Sequence, residues 1–246
     1  FYRRFNQEEN FPEMAGKDIR AYFNFDTKKG EKIKMKFALS SVSSAGAMKN
    51  MEAEIPHWSF NQTKSATQEK WNKELNKIEV ETIEESQKET FYTALYHTML
   101  SPILYEDVDG KYRGLDQNIH ESNDFTNYTI FSLWDTYRAL HPLFNVIQQK
   151  RNNDMIKSML AHQKESVHNM LPIWSHYANE NWCMIGYHAT SVIADAIVKN
   201  VGDFDKKQAL KASVATANVS YFDGLGDYIK TNMCQMIKAI LRYLKL

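Results

Sequence analysis

The stretch FSLWDTYRALHPLF, residues 131–144, places Trp134, Asp135, Arg138 and His141 within eight positions of an otherwise apolar run. On one helix, Trp134, Arg138 and His141 fall at spacings of four and three and share a face. Leu133, Tyr137 and Leu140 form the neighbouring apolar stripe, and Asp135 lies in the first turn, where the helix dipole favours a carboxylate. Two readings fit. Either Ser132 or Asp135 caps the helix and Arg138 pairs with an acid, or acid, base and indole line a polar cavity.

A second cluster bears on the choice. MLPIWSHYANENWCMIGYH, residues 170–188, carries Trp174, Trp182, His176, His188 and Glu180 around a break at Pro172. Glu180 is expected at the start of the following helix, as a dipole-favoured charge or as a carboxylate accepting hydrogen bonds from a sugar hydroxyl. Trp174 and Trp182 suit a core or a half-wet groove, where an indole N–H finds a partner. His176, Cys183 and His188 do not match a zinc spacing. The chain contains no HExxH, GxSxG, P-loop or GxGxxG stretch, so the zinc protease, serine hydrolase and nucleotide enzyme classes lose support. Carboxylates, an arginine, histidines and indoles lining a helical cavity leave hydroxyl recognition, the chemistry of a carbohydrate site. A helical core built from the same residue types remains the alternative.

These residues need elements to hold them. The 246 residues are 43% hydrophobic, enough for a core and for one or two domains. Thirty basic and thirty acidic residues give no basic footprint for nucleic acid. No apolar run is long enough to cross a membrane. Two cysteines, Cys183 and Cys234, set up neither a disulfide framework nor a compartment, and no oligomeric state follows from the sequence. No signal peptide is visible, and an opening on Phe1 suggests that this is not the natural N-terminus.

Residues 1–62 read as β-rich. Ala21, Phe23 and Phe25 share a face, KKGE turns at Gly30, and Ile33, Met35, Phe37 and Leu39 alternate with Lys34 and Lys36 as in a half-buried strand. The period becomes helical from about residue 66, through Trp71, Leu75 and Ile78. Ser86 and Glu89 propose a capping box, and Pro102 ends the helix that follows. Residues 103–130 form a long, turn-rich loop. Its Asp107 and Asp109 resemble a calcium loop without the later ligands and read better as a turn. Helices are expected near 132–150, 153–169, 181–199 and 205–218, with Asn152 or Asn153 capping the second and Asp205 the fourth. Short and longer links alternate, as in paired antiparallel helices, with no fixed repeat.

FYTALYHTMLSP, DGKYRG, SLWDTYRALHPL, MLPIWSHY, CMIGYHATSVIADA and GDFD, in this order and spacing, resemble glycoside hydrolase family 92. SLWDT and CMIGYH are the most specific of them. The resemblance implies a calcium-dependent exo-α-mannosidase that acts with inversion on mannose-containing glycans. It also implies an α+β architecture: the end of an N-terminal β-sandwich over residues 1–65, a linker helix over 66–87, and the first part of an (α/α)6 barrel over 88–230. By resemblance Asp135 lies in the subsite of the terminal mannose with Trp134 beside it, Trp174 and Glu180 are neighbours, and Arg138 and His141 brace the helix. Family habit places such enzymes in the periplasm or outside the cell.

The chain also departs from the family. Inversion requires an acid and a base, which the resemblance assigns to EGNAWQY-like and GNDD-like stretches. Neither occurs here, and the calcium ligands draw on the same missing parts. TNMCQMIKAILRYLKL, residues 231–246, fits nothing in the family. With one permitted choice of codons, and one base restored after Lys230, it reads YKYVPDDKSNTSISKTL, like the expected family segment. An out-of-frame tail on an inactive fragment is the expectation, with a non-catalytic helical carbohydrate-binding or interaction module as the alternative.

Overall fold

A computed structural model describes residues 18, 20–222 and 224–231. The chain divides into two compact units, Phe1–Met35 and Lys36–Leu246. Within the described part of the first unit, Lys28 and Glu31 close the KKGE turn: the Glu31 N–H donates to the Lys28 carbonyl (3.0 Å), and Gly30 takes φ +87°. Such a turn suits glycine, which has no Cβ to clash at positive φ. No ladder forms here among the described residues, and Phe23, Ile33 and Met35 are exposed. In the second unit Phe37 and Leu39, which continue the alternation, are exposed too. Alternation supplies an apolar face, but a strand also needs a partner edge, and none of the described residues offers one.

The second unit opens with α1 (Ser44–Glu54), inside the stretch expected to be β-rich. Its cap is Ser43, whose side chain accepts the Gly46 N–H at 3.0 Å. The helix is pinned by the DVDG turn. The Asp107 carboxylate accepts from Ser40 Oγ (2.7 Å) and Asn50 Nδ2 (2.8 Å), and Asn50 Oδ1 accepts the Val108 N–H (2.8 Å). Next come α2 (Phe60–Leu75) and α3 (Glu85–Thr98). The proposed capping box does not form: Glu84 takes the cap position of α3, without a side-chain cap bond. Glu74 ties the end of α2 to the helices that follow, accepting from Gln148 Nε2 at 2.6 Å with Arg151 at 3.6 Å.

The expected loop is built of short strands. β1 (Ile103–Leu104) pairs antiparallel with β4 (Tyr128–Thr129), and β2 (Lys111–Arg113) forms a hairpin with β3 (Ile119–Glu121). β5 (Phe131–Ser132) leads into α4 (Leu133–Thr136), α5 (Leu140–Ile147) and α6 (Gln149–Glu165). Then follow β6 (Trp174–His176), β7 (Asn179–Glu180), α7 (Ala189–Val198), α8 (Lys206–Ala217) and α9 (Leu225–Thr231). β5, β6 and β7 make one antiparallel sheet in that order. No described helix is long and apolar enough to cross a membrane.

Phe131, Leu133, Ile156, Met159, Leu171 and Val192 fill the core where α6 meets the three-stranded sheet, α5 and α7. Asn152 and Asn153 are interior residues of α6, not its caps. Both are buried, and a buried amide must find partners. His141 Nδ1 lies 2.7 Å from Asn152 Oδ1, Asn152 Nδ2 donates to Asn145 Oδ1 (2.6 Å), and Asn145 Nδ2 donates to Asp195 Oδ2 (2.8 Å). Because the Asn152 amide nitrogen is already donating, its oxygen accepts and His141 Nδ1 carries the proton. Asn153 holds Asp203 through a donated bond at 2.7 Å and an accepted one at 3.0 Å. Asp205 caps α8 as expected, accepting from the Lys207 and Gln208 N–H groups.

Candidate functional site

The three-stranded sheet gathers the candidate residues. Ser132 on β5 stands opposite Trp174 on β6, and Ser175 stands opposite Glu180 on β7. Trp134 and Asp135 follow β5 closely, so SLWDT meets the start of WSHYANE where the β5–β6 ladder ends. The sheet is fastened to α6 from beneath. Ser175 Oγ lies 3.1 Å from His162 Nδ1, and Phe131 meets the same imidazole edge-on at 5.7 Å. Burial lowers the pKa of His162 to about 4, so it is neutral at pH 7.

SLWDTYRALHP is not one helix. α4 is a single turn, residues 137–139 form a turn, and α5 restarts at Leu140 with Ala139 in the cap position. Trp134, Arg138 and His141 therefore do not share a helix face. His141 is buried between α5 and α6 and holds Asn152; burial lowers its pKa to about 4 as well. Of the capping reading, Ser132 takes the cap position of α4 but makes no side-chain cap bond, and Arg138 forms no ion pair with an acid among the described residues. Its guanidinium lies over the rings of Trp134 (5.1 Å) and Tyr137 (5.0 Å). Asp135 is exposed, and its carboxylate makes no hydrogen bond to the described residues.

Glu180 is a strand residue, not a helix start. Its carboxylate gathers three backbone donors: Ile173 N–H to Oε2 (3.0 Å), and Trp174 N–H (2.8 Å) and Trp182 N–H (3.1 Å) to Oε1. Ile173 and Trp174 follow Pro172 where β6 begins, Trp182 follows β7, and the acid satisfies the N–H groups of all three. Helix α7 begins only at Ala189, because Trp182, Met184 and Gly186 all take positive φ and cannot propagate a helix. Trp174 lies over His176 (5.8 Å, 27°), and Trp182 packs on Phe222 (4.7 Å).

Among the described residues no group of three or more His, Cys, Asp or Glu side chains is placed to hold a metal ion. Reading the sequence missed the partner of the SLWDT turn. His188, weighed only as a zinc ligand, stacks on Tyr137 at 4.3 Å and 8°, and meets Trp134 edge-on at 5.3 Å. The signal was present in the aromatic pair of GYH, but its contact with a turn some fifty residues earlier is tertiary. Two clefts lie elsewhere. One of about 630 Å³ is bounded by α1 and β1, and one of about 560 Å³ lies between the β2–β3 hairpin, α6 and the start of α8. Trp134, Asp135, Trp174 and Glu180 line neither of them.

Residues 46–239 match the glycosyl hydrolase family 92 catalytic domain. The chain belongs to glycoside hydrolase family 92. Among solved structures, the family 92 α-mannosidase BT3965 from Bacteroides thetaiotaomicron is 53% identical, with a TM-score of 0.74 over 77% of this chain and 25% of that one. The same enzyme in complex with mannoimidazole matches equally well. The family 92 inverting mannosidase BT2199 from Bacteroides thetaiotaomicron VPI-5482 is 28% identical, with a TM-score of 0.71 over 79% of this chain and 27% of that one. This family 92 chain thus spans about a quarter of the length of these relatives. A search of curated proteins found no match. The expectation for the tail concerns residues 231–246, of which 232–246 lie outside the described residues, as does the start of the expected sandwich over residues 1–17.

Proposed function

We propose that this chain carries part of the mannose subsite of an exo-α-mannosidase that hydrolyses terminal α-mannosides with inversion. The observation that carries the reading is the Asp135 carboxylate. It is exposed and makes no hydrogen bond to the described residues, at the end of the β5–β6 ladder where SLWDT meets Trp174, in a chain 53% identical to an α-mannosidase whose structure was solved with mannoimidazole. A carboxylate that keeps all its lone pairs can accept two sugar hydroxyls at once. The indoles of Trp134 and Trp174 would bound the sugar's apolar face. Glu180 shapes the start of β6 by holding the N–H groups of Ile173 and Trp174.

In this reading residues 1–65, although α1 and the start of α2 lie within them, belong to the end of an N-terminal β-sandwich domain, 66–87 link, and 88–230 begin an (α/α)6 barrel. Calcium would bind the mannose hydroxyls through oxygen ligands. Calcium takes six to eight oxygens, and the described residues supply no cluster of three acids or histidines. The ligands are therefore assigned mostly to other parts of the protein. The stretches assigned to acid and base are absent from the 246 residues, so the chain alone is expected to bind mannose without turnover. Export to the periplasm or beyond completes the proposal.

The test is hydrolysis of an aryl α-mannoside by the purified chain, followed by mannoimidazole binding. No turnover with measurable binding supports the reading. Turnover near the rate of an intact mannosidase overturns the inactivity, and absence of binding by a folded chain overturns the subsite.

A further inference from the structure

The carboxylate of Asp135 sits on an element that cannot hold itself. α4 is four residues long, too short to be stable on its own hydrogen bonds. It has no side-chain cap, and neither has α5 after it. Something else must fix the direction of the turn, and the contacts identify it. The His188 imidazole lies flat on Tyr137, the residue that ends α4, at 4.3 Å and 8°. It meets Trp134 edge-on at 5.3 Å, and the Arg138 guanidinium lies over both aromatic rings. Trp134 and Tyr137 bracket Asp135, so the one imidazole touches the turn on both sides of the acid.

His188 is itself placed by its own loop. Gly186 takes φ +85°, and a Cβ there would come within 2.8 Å of His188 Nε2, so only glycine lets the ring lie where it does. Nε2 is buried and accepts no hydrogen bond from the described residues. An unpaired buried nitrogen is costly, and its retention fits a ring kept for its faces and its fixed position.

We propose that His188 is a positioning residue for the mannose subsite, the shelf on which the Trp134–Tyr137 turn rests so that Asp135 faces the sugar. The affinity part of this proposal rests on the mannose reading above; the positional part does not. The test uses the full chain labelled with 15N at its five tryptophans, with Trp134→Phe identifying the Trp134 indole signal. His188→Ala is expected to move that signal while leaving those of Trp58 and Trp71 in place, and to weaken mannoimidazole about tenfold. His188→Phe keeps the stacking face and is expected to restore the signal and to bind within about twofold of the parent chain. If His188→Ala does not melt cooperatively, Tyr137→Leu removes the same stack from the other side and carries the same two expectations. An unmoved Trp134 signal in the alanine variant, or a phenylalanine variant as poor as alanine, overturns the proposal. Should the parent chain bind no mannoimidazole, the mannose reading fails, and the Trp134 signal alone still decides the positional part.

Discussion

Replacing Glu180 with alanine should destabilise the fold far more than an exposed acid normally does. The carboxylate receives three backbone N–H groups, two on Oε1 and one on Oε2. Ile173 is buried, while Trp174 and Trp182 are half-buried, so water replaces the lost acceptor only in part. Hydrogen bonds to a charged group contribute roughly 1.5–3 kcal/mol each, and such bonds are not additive within one network. A loss of about 3–4 kcal/mol is expected for Glu180→Ala. Glu180→Gln separates the two oxygens. Its amide oxygen can take the place of Oε1 and keep Trp174 and Trp182, but its NH2 then faces the Ile173 N–H, donor against donor. About 1.5–2 kcal/mol should be lost, between wild type and alanine. Urea unfolding followed by far-UV circular dichroism measures both. A loss below about 1 kcal/mol for alanine, or glutamine falling as far as alanine, would refute the assignment of the acid as the clamp on this break.

Other consequences follow from the same contacts. His141 and His162 are held at about 4 by burial, against 6.5 in the unfolded chain, so the unfolded state takes up protons first as pH falls. Stability is full above 6.5 and is lost between 6.5 and about 4, by at most roughly 3 kcal/mol per imidazole, which thermal melts from pH 8 to pH 4 would show as a falling Tm. His188, lowered by burial and then by the charge of Arg138, adds to the loss in the same direction. Asn152→Ala strips His141 and Asn145 of their buried partner and should cost about 3 kcal/mol in urea unfolding, with little change if the network is dispensable. Gly186→Ala meets both a positive φ and the His188 ring, and should cost at least about 1 kcal/mol by the same assay.

The sequence disclosed the family better than local structure. SLWDT and CMIGYH carried the family signature, and Asp205 and the DVDG turn were readable because capping and turn formation are decided within four residues. The break after Thr136 was not, because apolar spacing continues through it and the turn is held by His188 from a distant loop. Glu180 sat where a helix start was expected, yet three positive-φ residues after it follow from how the loop packs, which no local pattern records. Asn152 and Asn153 read as caps because asparagine favours caps, and only the tertiary neighbours His141, Asn145 and Asp203 turn them into interior residues. The alternation from Ile33 to Leu39 identified an apolar face but could not supply the partner edge a ladder requires.

The most direct test of the account is titration of the purified chain with mannoimidazole by calorimetry, beside Asp135→Asn. Asp135 is exposed and makes no hydrogen bond to the described residues, so the substitution should leave the melting temperature unchanged while removing one acceptor oxygen and the charge. Binding by the parent chain, weakened at least about tenfold in the variant, is the predicted result. Equal affinity in the two chains, or no binding by a cooperatively folded parent, would contradict the placing of the mannose subsite at Asp135.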